Sequence, residues 1–491
     1  MIQIILSDRT YENDIHPLVR AFYPGEDVTV TDRDFYNGNE DLTGRIRMDF
    51  DNKRLSIMAD IEGERCQATE ELPDPVTEKS AHKNAMKRML YRMLSGISKK
   101  ELPWGTMTGI RPTKPVYDML DKGLSEDAVY DIMEKEYLCS GEKIELSIEI
   151  ANRERKLLED TDYKNGYSLY IGIPFCPSTC LYCSFPSFSA EKFADRIDAY
   201  LDALEKEIRF GATCFPGKKL ICVYLGGGTP TTLSAVQLDR LLGLIRQEYD
   251  FTNVREFCVE AGRPDSITKE KLEVLKKWGV DRISINPQSM SQKTLDLIGR
   301  RHTVEQIEEA FALAREIGFD NINMDIIIGL PGETPEDVRN TLYRIGRLNP
   351  DSLTVHTLAI KRAARLNIER EHYSNLKAVD VPGMQKLSME FARKNDYHPY
   401  YLYRQKNVAD NLENIGYARA GKEGLYNILI MEEKQTILAL GAGAMSKFIF
   451  YDENRIERVD NVKNLNDYIE RIDEMIARKR DFLSQYPQLR N

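Results

Sequence analysis

Near the start of the chain, apolar residues recur at every second position in two short runs: Ile46, Met48, Phe50, then Leu55, Ile57, Ala59, Ile61. The polar segment Asp51-Asn52-Lys53-Arg54 lies between them. Alternation of this kind, broken by a polar turn, predicts a β-hairpin with one buried face. The period then lengthens to that of a helix in KNAMKRMLYRMLSGI and breaks in the Gly- and Pro-punctuated loop LPWGTMTGIRPTKP, residues 102–115. Charged helical segments continue to about residue 160. Trp104, Arg111 and Lys114 in the loop read as a structural turn carrying solvated cations. Residues 1–160 are expected to form a separate α+β domain of unassigned role.

From residue 168 the pattern becomes rhythmic. Strand-like runs recur at LYIGI, LICVYL, EFCVE (256–260), RISIN (282–286), INMDIII (322–328) and SLTVHT (352–357), each followed by a stretch with helical period. The first such helix carries Phe193, Ile197, Leu201, Leu204 and Ile208 on one face. Thr303 and Gln306 open another with a capping-box pattern, and Gly318 is placed to end it. Alternation of strand and helix predicts a parallel sheet with right-handed crossovers, and six units suggest a partial (β/α)6 barrel related to the TIM type. The expected organisation is α/β: a barrel over 165–375, preceded by the α+β domain and followed by an α-rich extension, 376–491, that covers the substrate. Functional groups should gather beyond the C-terminal ends of the strands. The sequence agrees: a cysteine cluster follows the first strand, GGGTP the second, Glu260 ends the third, and Asn286 and Gln288 leave the fourth.

A length of 491 residues is enough for two or three domains, and 42% hydrophobic content suits a folded protein. The opening MIQIILSDRT has no basic leader, and no apolar run is long enough to cross a bilayer, so no membrane span and a cytoplasmic location are expected. A net charge of −10 argues against nucleic acid as a partner and requires any anionic ligand to be held by a local basic pocket.

Eight cysteines in so long a chain are not a disulfide framework. Three of them, Cys176, Cys180 and Cys183, fall within IPFCPSTCLYCSFPSF. Three thiolates in a short loop can hold three irons of a [4Fe–4S] cluster and leave the fourth open to another ligand. A ferredoxin would supply a fourth cysteine with different spacing, and structural zinc would want two cysteine pairs or histidines. A cluster is therefore favoured over zinc or inert thiols. Cys66, Cys139 and Cys214 are scattered, and Cys222 and Cys258 lie in apolar runs where burial as small hydrophobes is the default.

A C-x3-C-x2-C loop after the first strand of such a repeat resembles the radical S-adenosylmethionine (SAM) superfamily. YIGIPFCPSTCLYC, YLGGGTPTTL, INPQSM, LIGRRHT and NMDIIIGLPGETPED resemble, more narrowly, the oxygen-independent coproporphyrinogen III oxidases, or coproporphyrinogen dehydrogenases. CLYCSFPSF, VEAGRPDSI and YYLYRQKNVADNLENIGYA are most similar to the HemZ-type branch of Gram-positive bacteria. The wider resemblance spans about residues 165–450; the first 160 residues match that branch alone.

The resemblance implies a [4Fe–4S] cluster on Cys176, Cys180 and Cys183, with SAM on the open iron, cleaved by one electron to a 5′-deoxyadenosyl radical. It puts Tyr182 along the adenine and Gly227, Gly228 and Thr229 at the methionine end. Glu260, Gln288 and Asp325 supply acceptors for ribose hydroxyls and an ammonium group, and Arg300 pairs with a carboxylate. Tyr170, Ala359 and Met445 also fall on cofactor positions, although Tyr170 and Ala359 could equally be packing. One or two SAM molecules are implied, with a reductant such as flavodoxin or ferredoxin. The implied reaction is oxidative decarboxylation of coproporphyrinogen III propionates to the vinyl groups of protoporphyrinogen IX, in haem biosynthesis.

A tetrapyrrole with four propionates needs cations. Lys361, Arg362 and Arg365 in IKRAARL, and Arg404 and Lys406 in YYLYRQK, are the candidates, with Arg362 or Arg365 expected to pair a propionate. Tyr400, Tyr401 and Tyr403 could flank a flat macrocycle or simply pack, and His302 and His356 read as structural histidines. Two departures from the family pattern keep other readings open. Ser184-Phe185 follows Cys183 where typical decarboxylases place a further cysteine two residues on, a feature shared with haem-binding relatives, and the first 160 residues replace a short substrate-contacting segment. The alternatives are a haem chaperone that does not decarboxylate, or a radical enzyme acting on another tetrapyrrole.

Overall fold

The computed structural model describes residues 1–32, 42–359, 364–368, 379–405 and 412–490. The chain forms two compact units, Met1–Arg155 and Lys156–Asn491.

In the first unit, β1 (Ile2–Leu6) lies parallel to both β2 (Val28–Thr31) and β3 (Gly44–Asp51). Strands β3, β4 (Arg54–Ile61) and β5 (Glu64–Glu71) form an antiparallel meander, giving the order β2-β1-β3-β4-β5. The hairpin expected from alternation is present. Asp51 pairs with Arg54, so Asn52 and Lys53 alone make the turn, and Asn52 takes the left-handed conformation (φ 53°) that asparagine tolerates. Ile46, Met48, Leu55, Ile57 and Ile61 are fully buried in a core shared with α1 (Glu12–Phe22) and α2 (Lys79–Ser98). Three helices follow: α3 (Lys114–Asp121), α4 (Glu126–Tyr137) and α5 (Gly141–Glu159). Trp104 is 1% exposed and packs inside this unit, so the 102–115 loop contributes to the core as well as turning the chain.

The second unit is built on six parallel strands: β6 (Gly166–Ile173), β9 (Lys219–Gly227), β10 (Glu256–Glu260), β11 (Arg282–Ser284), β12 (Ile322–Ile328) and β13 (Ser352–Thr357). Two short strands, β7 (Phe175–Cys176) and β8 (Phe188–Ser189), pair with each other beside them. The intervening helices include α6 (Ile197–Gly211), α7 (Ala235–Glu248), α8 (Lys269–Lys277), α9 (Gln292–Leu297), α10 (Val304–Ile317) and α11 (Pro335–Leu348). Thr303 and Gln306 close the expected capping box on α10, and Gly318, at φ 98°, ends it. Near-continuous burial along β6, β9 and β12 is what a parallel sheet covered by helices requires.

The C-terminal region adds strands as well as helices. β14 (His398–Tyr403) and β15 (Asn414–Ala418) extend the sheet antiparallel beyond β13. On the other side, β16 (Thr436–Leu440) lies parallel to β6 and is followed by antiparallel β17 (Met445–Phe450) and β18 (Arg455–Asp460). The result is an eleven-stranded sheet with β14 and β18 as its terminal strands. A fully buried ion pair, Lys479 Nζ to Glu207 Oε1 at 2.8 Å, ties the helix Ile472–Gln485 to α6. Among the described residues no helix is long and apolar enough to cross a membrane.

Candidate functional site

Beyond the C-terminal ends of the parallel strands lies a cavity of about 390 Å³, within the size range of small-ligand sites. Its wall begins with the cysteine loop. β7 and β8 pair in parallel and close the base of this loop, and Leu181 N–H donates to the Ile298 carbonyl at 2.9 Å. Cys180 is 8% exposed, while Cys176 and Cys183 are half-buried. Burial pushes the Cys176 thiol up to about 11.

The end of β9 is stitched to the same loop. Gly228 N–H donates to the Ile173 carbonyl and Thr229 N–H to that of Phe175, both at 2.8 Å, and Thr229 Oγ1 lies 3.5 Å from Cys176 Sγ. A Cβ on Gly228 would stand 2.7 Å from the Phe175 carbonyl oxygen, which explains the glycine by close approach of two backbones.

Further round the rim, Glu260 ends β10 and accepts a hydrogen bond from the Tyr224 hydroxyl. Burial raises the Glu260 carboxyl to about 7, more than Tyr224 can offset, and the Asp325 carboxylate adds to the rise. Burial also pushes Asp325 upward, but the His356 ring, with Asn323 and Thr354, outweighs it and holds the carboxyl below its usual value. His356 Nε2 lies 3.8 Å from Asp325 Oδ2, and its Nδ1 lies 3.3 Å from the Tyr403 hydroxyl. The two carboxyls therefore sit in one cavity with opposite tendencies, Glu260 toward the neutral form and Asp325 toward the anion.

Gln288 is held in a left-handed conformation, φ 66°, rare for a non-glycine residue. Its N–H donates to the Asp325 carbonyl and its carbonyl accepts from Ile327 N–H, each at 2.9 Å, so β12 fixes it on both sides. Its buried Oε1 has no partner among the described residues, and neither has Nε of Arg300. Arg300 is otherwise engaged, donating to the Asn286 carbonyl and to the Tyr182 hydroxyl at 3.3 Å.

The cavity thus brings together Cys176, Cys180, Tyr182, Cys183, Gly227, Gly228, Thr229, Glu260, Gln288, Arg300, Asp325 and Ala359. Tyr170 and Met445 are not among its lining residues. Tyr170 is half-buried in β6, stacked against Tyr224, and Met445 is 41% exposed at the start of β17. The proposed substrate cations divide. Arg365 is exposed in a short helix, Arg365–Ile368, and Arg404 is buried; Lys361, Arg362 and Lys406 lie outside the described residues. The tyrosines divide too: Tyr401 and Tyr403 line the cavity, whereas Tyr400 is buried with Asn427 donating to its hydroxyl. His356 lines the cavity, while His302 is fully buried.

Tyr224, Asn323, Thr354 and Arg263 were not singled out from the sequence, although all four line the cavity. The first three follow from strand periodicity once the inward phase is known, since Tyr224, Asn323 and Thr354 lie on the cavity-facing sides of β9, β12 and β13.

The residues present suit an iron–sulfur cluster with a zwitterionic ligand. Among the described residues no three metal-binding side chains converge on a single ion. A cluster has no such requirement, because each thiolate takes its own iron. The unpartnered Gln288 and Arg300 atoms, beside one neutral-leaning and one anionic carboxyl, offer acceptors and a donor to a ligand carrying both charges.

Comparison with known proteins gives a consistent picture. The model of the radical SAM superfamily matches residues 170–345. The oxygen-independent coproporphyrinogen-III oxidase-like protein HemZ of Bacillus subtilis is 40% identical over 464 residues, 92% of this chain and 92% of that one. The heme chaperone HemW of the same organism is 32% identical over 56% of this chain and 70% of its own length. Among solved structures, coproporphyrinogen III oxidase (HemN) of Escherichia coli superposes with a TM-score of 0.52 at 26% identity, over 66% of this chain and 73% of that one.

Proposed function

The chain belongs to the radical SAM superfamily and, within it, to the oxygen-independent coproporphyrinogen-III oxidase-like proteins, and from that premise we propose that it decarboxylates two propionates of coproporphyrinogen III to the vinyl groups of protoporphyrinogen IX. As a radical SAM oxidoreductase it uses a [4Fe–4S] cluster and SAM, which together supply a carbon-centred radical able to take hydrogen from an unactivated carbon. The observation that carries the reading is the grouping of three cysteines, the Gly227–Thr229 turn, Glu260, Gln288, Arg300 and Asp325 around one cavity.

The chain's own part is to bind, orient and shield. Cys176, Cys180 and Cys183 hold the cluster, and the β7–β8 pairing keeps their loop closed. Gln288 and Arg300 face the amino-acid end of SAM with atoms that are unpartnered among the described residues. Glu260 and Asp325 take its hydroxyl and ammonium donors, Asp325 kept anionic by His356. Tyr182 and Ala359 flank the nucleoside. Tyr401 and Tyr403 give the macrocycle a flat wall, and Arg404, Arg365 and Arg362 are the candidates for its propionates. One or two SAM molecules bind here, and a flavodoxin or ferredoxin supplies the electron.

The test is an anaerobic assay of reconstituted protein with SAM, a reductant and coproporphyrinogen III. Release of carbon dioxide and 5′-deoxyadenosine with formation of protoporphyrinogen is expected. Similarity to HemW, with Phe185 standing two residues after Cys183 where typical decarboxylases place a further cysteine, favours a second reading as a haem chaperone. Stoichiometric haem binding with no substrate-dependent SAM cleavage would select it.

A further inference from the structure

The VEAGRPDSI segment leads out of β10 and carries a side chain that the reading above does not use. Arg263 is 3% exposed and lies against the cysteine loop. Its Nη1 donates to the Ser178 carbonyl at 3.1 Å and to Ser178 Oγ at 2.8 Å, and stands 3.9 Å from Cys180 Sγ. The other edge of the guanidinium is occupied by Asp265, with Nε to Oδ1 at 3.0 Å and Nη2 to Oδ2 at 2.6 Å. Behind Asp265 stands the fully buried His302, its Nδ1 3.7 Å from Oδ1. Ser178 is tied in turn to the opposite side of the rim, its Oγ donating to the Gly299 carbonyl at 3.1 Å.

We propose that Arg263 is a positioning residue for the iron–sulfur cluster, bracing the loop between Cys176 and Cys180 through Ser178 and laying an N–H on the Cys180 sulfur, so that it sets the reduction potential of the cluster. The proposal rests on the reading of Cys176, Cys180 and Cys183 as cluster ligands. Hydrogen bonds and positive charge at cluster sulfurs favour the reduced, more negative state, and groups that orient metal ligands affect metal retention strongly. The fork to Asp265 has two consequences. It fixes the guanidinium plane, which a lysine cannot reproduce, and it neutralises much of the charge that Cys180 would otherwise feel. Arg263 and Asp265 should therefore move the potential in opposite directions. A residue that merely helps the chain fold would not do this.

The experiment is EPR-monitored redox titration of anaerobically reconstituted full-length protein, with iron and sulfide analysis of each sample. Arg263→Met removes the N–H and the charge, and its reduction equilibrium should shift about tenfold toward the oxidised cluster, about 59 mV more negative for one electron. Asp265→Asn unmasks the guanidinium and should shift the potential to more positive values. Potentials for both variants equal to that of the parent, at full iron content, overturn the proposal, as does a shift of the two in the same direction. If Arg263→Met does not retain iron, Asp265→Asn alone decides: a positive shift supports the assignment and no shift overturns it. A parent protein that binds no cluster overturns the ligand reading itself, and the two failures are told apart by its iron and sulfide content.

Discussion

At the scale of single residues, Cys180 is the most deeply buried of the three thiols and the one nearest two guanidinium groups, since Arg300 as well as Arg263 interacts with it. Cys180→Ala should abolish SAM cleavage and the cluster's EPR signal after reconstitution; retained cleavage would remove it from the ligand set. Glu260 gives a pH-dependent prediction. With its carboxyl raised to about 7, it must lose a proton before it can pair with an ammonium group or accept from two hydroxyls at once. SAM affinity should therefore weaken as pH falls below 7, by at most about tenfold per unit. Glu260→Gln should bind less tightly at pH 8 and show a flatter profile, measured by equilibrium binding to the reconstituted protein. A parent affinity independent of pH between 6 and 8 would contradict the assignment. Some of this site was legible in the sequence: a cysteine triplet, a glycine run and an Asp inside INMDIII are local signals. Arg263, Tyr224 and the unusual backbone of Gln288 were not, because each acquires its role from a neighbour distant in the chain, Ser178, Glu260 and Asp325 respectively.

At the scale of elements, hydrophobic period was enough to recognise the β3–β4 hairpin and the six strand–helix units, because a buried parallel strand and an amphipathic helix write their burial directly into the pattern. The strands β14 to β18 were less visible. NIGYA and TILAL are short, and their pairing is decided by the exposed edges of β13 and β6, which no local pattern records. The attachment of the C-terminal helices depends on a buried polar cluster. Glu207 accepts from Lys479, Asn461, the Tyr468 hydroxyl and Gly441 N–H, and Lys479 also donates to Asn461. Lys479→Met would strand a buried carboxylate and should cost about 3–5 kcal/mol in the unfolding of this unit, read from urea denaturation. Lys479→Met combined with Glu207→Gln removes both charges and should cost less than the single change. A single variant within about 1 kcal/mol of the parent would show that the pair contributes little.

For the molecule as a whole, the net charge of −10 and the demands of a cavity for charged ligands pull in different directions, and the conflict is expressed in titration. Burial raises the carboxyls of Glu260 and Glu333 to about 7 each, and that of Glu256 in the same direction. In the unfolded chain these groups release their protons near their ordinary value, about 4.3 for Glu. Between about pH 4.5 and 7 the folded protein therefore holds protons that the unfolded chain has lost, and its stability falls as pH rises through that window. His302, pulled below its ordinary value chiefly by burial, works in the opposite sense below about pH 6.5, but it is one group against three. Carboxyls held low, such as Asp325, withdraw their stabilisation only when pH drops below the ordinary carboxylate range. The urea midpoint of the ligand-free protein, at constant ionic strength, should accordingly decline from pH 5 to pH 7.5, and Glu333→Gln should flatten part of that decline. A midpoint that rises across the same interval would mean that these carboxyls are solvated or paired in the folded chain. The two that accompany Glu260 lie at helix and strand contacts, where no ligand can relieve them: Ser289 donates to Glu333, and Leu425 and Tyr426 N–H donate to Glu256. Glu260 alone faces the cavity, so binding of a cationic ligand should recover its share of the lost stability and leave the rest of the decline in place.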